Sequence, residues 1–213
     1  MNSRIIPASI INPDAPSGSL ESKQPPVDNG AKIHDKVGYF SNDDAEKEWD
    51  RLWSRTWLIA GALSDIPNIG DYFLFKIGHE SFIISRTDEG VKAFYNVCPH
   101  RGARLLTQEQ GHRKRFTCPF HSWTFSNNGE LRTITDEGTF QPEVICHRPS
   151  LSQARCENFA GLIFINMDDN ASPLIEELGL PQGYLEPYNI EKMRVVRHVR
   201  SEWCANWKVG VEA

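Results

Sequence analysis

Cys98-Pro99-His100 and Cys118-Pro119-Phe120-His121 are the two stretches of sequence that decide this fold, and seventeen residues separate them. Each stretch offers one thiolate and one imidazole from a short loop that contains proline. Two Cys and two His in mixed pairs suit two iron atoms, one bound by both sulfurs and the other by both nitrogens. The spacing therefore predicts a two-iron cluster whose ligands are Cys98, His100, Cys118 and His121.

This ligand set is that of a Rieske [2Fe–2S] centre. Zinc is the first alternative, but structural zinc sites of this ligand type usually pair Cys with Cys and His with His. A Cys-x-His pair such as Cys98 and His100 reaches two irons more readily than one tetrahedral ion. A chance arrangement is the second alternative, and it would require four ligand-type residues in two proline-containing loops. The sequence therefore predicts an electron-transfer centre.

The composition bounds the remaining classes of function. The chain has 213 residues, of which 39% are hydrophobic, and a net charge of −5, so nothing global suggests nucleic acid binding. No apolar run approaches a membrane span, and residues 4–11 are too short and proline-interrupted for a signal peptide. The three Cys outside the loops are expected to be reduced thiols of a cytoplasmic protein: Cys146, Cys156 and Cys204.

The pattern of the sequence changes three times along the chain. Residues 1–36 are rich in Pro, Ser, Asn and Asp, which predicts a disordered tail. Residues 37–56 repeat apolar side chains at helical spacing after Ser41, a plausible N-cap. Residues 57–167 consist of short strands and turns, which predict a mainly β fold: a small antiparallel domain whose two cluster loops meet at one end. Residues 168–213 are predicted to be the truncated start of an α+β domain.

Runs rich in aromatic and β-branched residues predict the individual strands. Alternation over Arg194–Trp203 predicts one more strand, and Pro173–Leu178 predicts a short helix. The final residues read as the opening of a helix without a stop signal, which favours truncation. The strands predicted within the β domain are Trp57–Ala60, Tyr72–Ile77, Ser81–Ser85, Val91–Val97, Thr124–Ser126, Glu130–Arg132 and Leu162–Asn166.

The chain resembles the α (oxygenase) subunits of Rieske-type aromatic ring-hydroxylating oxygenases over about residues 38–213. The loops that begin Cys98-Pro-His-Arg-Gly-Ala and Cys118-Pro-Phe-His-Ser-Trp are similar to that family's two cluster loops. The run Phe94–Val97 resembles the strand that leads into the first loop. The run Ala205–Glu212 resembles the entry into the family's catalytic domain, and together with the leading helix it points to oxygenases rather than to Rieske proteins in general.

The resemblance implies the cofactors and partners. It implies a Rieske cluster in this chain and a mononuclear Fe(II), held by two His and one carboxylate, in a C-terminal domain that this sequence does not show. It implies a ferredoxin or flavin reductase as electron donor, and a homotrimer or an α/β hetero-oligomer as the assembly. No catalytic residue is expected in this chain. Glu212 matches a carboxylate beside the route between cluster and iron, or is a helix-surface acid.

Respiratory Rieske proteins carry a further Cys in each loop, and the two join in a disulfide. Ala103 and Phe120 stand at the matching positions here. Without that bridge we expect a potential in the lower part of the range of roughly −150 to +300 mV known for Rieske centres. Such a potential suits a centre that is fed by reduced ferredoxin or flavin.

Positive side chains surround the loops, and they form either a docking surface for an acidic electron donor or an ordinary solvated turn. They are Arg101, Arg104, Arg113, Lys114 and Arg115.

Two functions stay open on the residues alone. One is the N-terminal portion of an oxygenase that hydroxylates an aromatic or related organic substrate with O₂. The other is a stand-alone Rieske electron carrier, for which the leading helix and the residues after the β domain would be surplus.

Overall fold

Antiparallel strands form the framework of the part of the chain that the computed structural model describes, residues 36–135, 137–146, 149–180, 183–199 and 201–212. This mainly antiparallel β architecture confirms the predicted fold class. The strands are β1 (Leu58–Ala62), β2 (Asp71–Ile77), β3 (Glu80–Thr87), β4 (Gly90–Tyr95), β5 (Gln110–His112), β6 (Arg115–Thr117), β7 (Thr124–Ser126), β8 (Leu131–Thr133), β9 (Gln153–Phe159) and β10 (Leu162–Asn166).

Helices are short and lie between or beside the strands. They are α1 (Asn42–Glu48), α2 (Pro142–Cys146), α3 (Leu174–Leu178) and α4 (Trp207–Glu212), together with a π-helical turn at Trp49–Trp53 and 3₁₀ turns at Lys36–Tyr39, Leu63–Asp65, Glu137–Thr139, Glu186–Tyr188 and Ile190–Lys192. None of the described helices combines the length and apolar character that a bilayer span requires.

The chain divides into two compact units. The smaller unit comprises Met1–Ser41 and Ala205–Ala213. Within it the Lys208 ammonium lies 5.5 Å from the centre of the Tyr39 ring, a cation–π contact. The larger unit is Asn42–Cys204, and it contains all ten strands, β1 to β10.

Two sheets build the larger unit. Seven strands pair in the order β1-β10-β9-β4-β3-β2-β5, and the other three in the order β6-β7-β8. Every pairing is antiparallel. The first sequence stretch follows the end of β4, and the second joins β6 to β7. Each potential ligand loop therefore leaves a different sheet, and each strand end fixes one side of its loop.

Neighbouring residues of β3 enter two different apolar cores. Ile83 belongs to the core that also contains Cys98 and Cys118, whereas Phe82 and Ile84 belong to the other core. Successive side chains of a strand point to opposite faces of the sheet. One face of the large sheet therefore supports both loops, and each large apolar side chain buried there stabilises the fold by roughly 1.5–3 kcal/mol.

The structure corrects several strand predictions. Strands β5, β6 and β9 were not predicted, because their sequences mix polar and apolar residues and the strand conformation comes from pairing with neighbours. The predicted strand Arg194–Trp203 is wrong: residues 194–199 and 201–203 form no strand. Among the described residues, no neighbouring strand pairs with this segment, so alternation alone does not make it a strand.

The predicted helix over residues 37–56 is broken rather than continuous. Helix α1 begins directly after Ser41, the predicted N-cap, and it gives way to a π-helical turn at Trp49. The Trp49 ring packs against Gly78, where a Cβ atom would find no room, so this tryptophan is a packing residue, as the sequence indicates. Residues 1–35, most of the predicted tail, lie outside the described residues.

Asp71 ties the beginning of β2 to β5. Its Oδ1 accepts a hydrogen bond from Nδ1 of His112 at 2.9 Å. Its Oδ2 accepts from the backbone N–H of Asn68 at 2.8 Å and from the Asn68 side chain at 3.1 Å. The bond from His112 is the main cause that lowers the pKa of Asp71, and the bonds from Asn68 lower it further, while burial opposes them.

We expect Asp71→Asn to lower the free energy of unfolding at neutral pH by about 1 kcal/mol, because a charge-assisted acceptor is lost. The folded pKa of Asp71 lies below the unfolded one. The difference in the free energy of unfolding between the wild type and Asp71→Asn is therefore largest above the ordinary Asp pKa. It disappears as the pH falls through the folded pKa of Asp71. Urea denaturation followed by tryptophan fluorescence, from about pH 7 to about pH 3, measures this difference.

Asp88→Asn is the matched control, because Asp88 lies in the exposed turn between β3 and β4. An Asp71→Asn protein as stable as this control at neutral pH would contradict the role assigned to Asp71. A stability difference that widens toward acid pH would contradict the sign of the pKa shift.

Candidate metal centre

The first loop closes on its own backbone immediately after β4. The N–H of Cys98 donates to the carbonyl of Ala103 at 2.8 Å, and the N–H of Gly102 donates to the carbonyl of Cys98 at 2.9 Å. Gly102 has a φ of 70°, in the left-handed region that glycine tolerates. These two bonds make a tight turn that holds the Cys at its base.

The second loop repeats this geometry between β6 and β7. The N–H of Cys118 donates to the carbonyl of Trp123 at 2.8 Å, and the N–H of Ser122 donates to the carbonyl of Cys118 at 3.0 Å. Ser122 has a φ of 58°, so it stands in the conformation that Gly102 adopts in the first loop. The two loops therefore present their side chains from equivalent backbone turns.

The structure brings together the four residues that the sequence predicts as ligands. Cys98 and Cys118 are 1% and 2% exposed and belong to one apolar core. The rings of His100 and His121 lie side by side, with their centroids 4.8 Å apart. Among the described residues, no three His, Cys, Asp or Glu side chains are placed to hold one metal ion in common.

The backbone and the neighbouring side chains tune the titration of these groups. Burial raises the pKa of the Cys98 thiol, as does the nearby Cys118, while hydrogen bonds from the N–H groups of His100 and Arg101 oppose the rise. Those two N–H groups therefore favour a thiolate at Cys98. Burial, then the neighbouring His121 and Arg101, lowers the pKa of His100. A lower pKa favours the neutral imidazole, which is the form that binds a metal.

Aromatic rings cover the two histidines unequally. Trp123 stacks on His100 with a centroid separation of 4.6 Å and an interplanar angle of 3°, and Phe140 meets the same imidazole edge-on at 6.0 Å. His121 contacts Phe120 at 3.9 Å, and Phe120 is 60% exposed. An open cleft of about 450 Å³ lies over these rings; it is lined by His100, Arg101, Phe120, His121, Ser122, Trp123, Thr135, Thr139 and Phe140.

Asn96 supports the first loop and was missed in the sequence. Its side chain donates to the carbonyl of Leu106 at 2.8 Å and accepts from the N–H of Leu106 at 2.9 Å. Asn96 is 4% exposed, so these bonds join the two ends of the loop inside the core. A polar residue inside the otherwise apolar run Phe94–Val97 is the sequence signal that could have identified it. Phe140 was also missed, and no motif marks it.

The other His and Cys residues that could be mistaken for ligands have different surroundings. His112 bonds to Asp71, and the His79 ring packs 4.3 Å from the Trp49 ring. Burial raises the pKa of Cys156 to about 12, so this thiol stays protonated at neutral pH. His34, His147 and the side chains of Cys146 and Glu212 lie outside the described residues.

Comparison with known proteins assigns a family to this site. Residues 56–147 match the family described as the Rieske [2Fe-2S] domain. The carnitine monooxygenase oxygenase subunit of Acinetobacter baumannii is 33% identical over 186 residues, which are 83% of this chain and 48% of that protein. The large oxygenase component of the naphthalene 1,2-dioxygenase system of Pseudomonas putida is 39% identical over 145 residues, which are 67% of this chain and 32% of that protein.

A solved structure agrees with these relatives. The apo form of the quaternary ammonium Rieske monooxygenase CntA aligns with a TM-score of 0.76 at 32% identity, over 84% of this chain and 53% of that one. This chain carries a Rieske [2Fe-2S] domain. It spans about half of the first relative and about a third of the second, and both relatives are oxygenase components. The stand-alone carrier is therefore not favoured.

The residues present fit the cluster of a Rieske domain. The Nδ1 atom of His121 is buried and has no hydrogen-bond partner among the described residues. A buried imidazole nitrogen without a partner is costly unless a ligand takes it up. Two buried thiols, Cys98 and Cys118, and two adjacent imidazoles are the donor set that a Rieske centre requires.

The equivalent loop positions 102 and 122 allow a matched pair of substitutions. We expect Ser122→Gly to raise the free energy of unfolding by about 0.5–1 kcal/mol, because it removes left-handed strain from a residue with a Cβ. We expect Gly102→Ser to lower the free energy of unfolding by about 1 kcal/mol. The cause would be backbone strain and not a steric clash, because a Cβ at Gly102 meets open space. Urea denaturation measures both, and changes of the same sign would contradict the equivalence of the loops.

Proposed function

We propose that this chain is the cluster-bearing portion of a Rieske non-haem iron oxygenase subunit. In this proposal it accepts electrons from a ferredoxin or flavoprotein reductase and passes them to a mononuclear iron for O₂-dependent hydroxylation of an organic substrate. One observation carries the proposal: two equivalent turns bury Cys98 and Cys118 and set His100 beside His121. The match to oxygenase subunits supports the choice of an oxygenase over a carrier.

The four loop residues divide the task of holding the cluster. Cys98 and Cys118 would bind one iron from within the apolar core, and His100 and His121 would bind the other beneath the open cleft. When bound, a Rieske cluster takes up and gives up one electron at a time. The burial of the thiols keeps water from the sulfurs. The imidazoles lie where an electron donor or an acceptor domain can approach.

The exposed positive residues around the loops are the proposed docking surface for the electron donor. Arg101, Arg104, Arg113, Lys114 and Arg115 are all exposed, and none forms an ion pair with the described residues. Charges that are not neutralised within the protein keep a long-range field. An acidic ferredoxin or flavoprotein would be steered toward the cleft by this field.

The proposed domain organisation follows the predictions from the sequence. Residues 57–167 would form the Rieske domain, and residues 168–213 would begin a catalytic domain that carries the mononuclear iron. Such an iron is held by two His and one carboxylate and keeps open positions for O₂. A trimer of this subunit, with or without β subunits, and a cytoplasmic location remain parts of the proposal.

The correspondence with relatives bears on the substrate. The carnitine monooxygenase subunit matches 83% of this chain, and the naphthalene dioxygenase component matches 67%. The longer correspondence favours monooxygenation of a quaternary ammonium compound over the dihydroxylation of an aromatic hydrocarbon. Oxygen uptake by the full-length protein with carnitine or with naphthalene distinguishes the two.

We expect serine at Cys98 or Cys118, or alanine at His100 or His121, to abolish cluster binding, because each substitution removes one of the four proposed ligands. The measurement is iron and sulfide content, with the visible absorption and the EPR spectrum of the reduced protein. The wild-type chain should contain two irons and two sulfides per chain, as a [2Fe–2S] cluster requires.

Cys156→Ser and His112→Ala are the matched controls, since neither residue belongs to the loops. Both variants should keep the wild-type cluster content. Circular dichroism shows whether a variant that lacks the cluster is still folded. Zinc in place of iron, or a normal cluster in a folded variant of any of the four ligands, would refute the assignment.

We expect the rate of reduction by an acidic ferredoxin to fall several-fold between about 50 mM and about 500 mM salt, because screening weakens steering. Arg101→Gln and Arg113→Gln should lower the rate at low salt and flatten the salt dependence. Lys92→Gln, which removes a charge near the Gly90 end of β4 that already pairs with Glu89, is the control. Stopped-flow absorbance measures the rate, and a rate independent of salt would contradict the docking surface.

A further inference from the structure

Trp123 carries a buried hydrogen-bond donor that has no acceptor among the described residues. The side chain is 3% exposed, and its Nε1 has no hydrogen-bond partner among the described residues. An indole N–H can only donate. A buried donor that remains unsatisfied lowers the stability of the folded state. Native structures keep few such groups, so this one calls for an acceptor.

The position of Trp123 places this donor at the proposed cluster. Its carbonyl closes the second loop by accepting from the N–H of Cys118. Its ring stacks on His100 of the first loop with planes 3° apart. Ala103 occupies the equivalent position in the first loop, so only one loop brings an indole to the site.

The apolar core around Trp123 contains few side-chain acceptors, and the hydroxyls of Ser122, Thr135 and Thr139 line the open cleft instead. The other members of its apolar core are hydrocarbon side chains, except for Tyr72 and the two cysteines, Cys98 and Cys118. The Tyr72 hydroxyl lies beside Gly111 of β5 and is also unpartnered among the described residues. Sulfur is therefore the acceptor type that this core contains close to the loops.

We propose that the Trp123 indole N–H donates a hydrogen bond to sulfur at the Rieske centre and thereby raises its reduction potential. This inference rests on the proposed function, namely on cluster binding by the two loops. Reduction adds one negative charge to the centre, and a donor to its sulfur stabilises the reduced form more than the oxidised one. Trp123 is then a positioning residue for His100 through stacking and a tuning residue through its N–H.

The test replaces the N–H and keeps the ring. 3-Benzothienylalanine, which has the shape of tryptophan with sulfur in place of N–H, is incorporated at position 123 of the full chain, and Trp123→Phe is a second variant. Both should load the cluster. We expect the equilibrium constant for one-electron reduction to fall about tenfold in each, which is about 59 mV for a one-electron couple. Redox titration followed by EPR measures the change.

Phe140→Leu is the matched control. Phe140 contacts both His100 and Trp123 edge-on, so its loss disturbs the same packing without removing a donor. The reduction potential of the Phe140→Leu protein should stay close to that of the wild type. Pulsed ENDOR of the reduced wild type in H₂O and in D₂O should show an exchangeable proton coupling that is absent from the benzothienylalanine protein.

The outcomes separate this inference from the proposed function. An unchanged potential in both Trp123 variants would overturn the inference, as would an exchangeable-proton spectrum that is the same with and without the indole N–H. A fall in potential of equal size in Phe140→Leu would assign the effect to packing and would overturn it too. A wild-type chain without a Rieske EPR spectrum would instead refute the proposed function.

Discussion

The structure depends on one constraint: two loops from different sheets must close in the same way over a shared apolar core. In each loop a Cys is bonded through its N–H to the carbonyl five residues on, and through its carbonyl to the N–H four residues on. The left-handed residue in each turn, Gly102 or Ser122, makes that closure possible. Because the large sheet places one core beneath both loops, the two Cys are buried together and the two His come to the surface together.

The same constraint explains the electrostatics of the site. Burial raises the pKa of Cys98 and works against a thiolate, while the N–H groups of the tight turn partly offset this rise. The lowered pKa of His100 favours the neutral imidazole, the form that binds a metal. Among the described residues, the positive side chains around the loops form no ion pairs. In the proposed function, a negative electron donor would meet the imidazole side of the site, while the thiolate side stays dry.

The sequence predicted the parts of the fold that local chemistry determines. The Cys and His spacing predicted that the residues of the two loops come together, and the aromatic and β-branched runs predicted β1, β2, β3, β4, β7, β8 and β10 within two residues. The missed strand β9 and the falsely predicted strand Arg194–Trp203 share one cause, since strand formation depends on a partner that no local pattern specifies. Asn96 and Phe140 were missed for a related reason: their contacts join residues that are distant in the sequence.

The central claim is that two thiolates and two imidazoles share one two-iron cluster, and nitrogen hyperfine spectroscopy tests it most directly. The cluster-loaded chain would be labelled with ¹⁵N only at histidine, reduced, and examined by pulsed EPR. The account predicts couplings from two histidine nitrogens bound to iron. A spectrum with couplings from only one histidine, or from none, would contradict it.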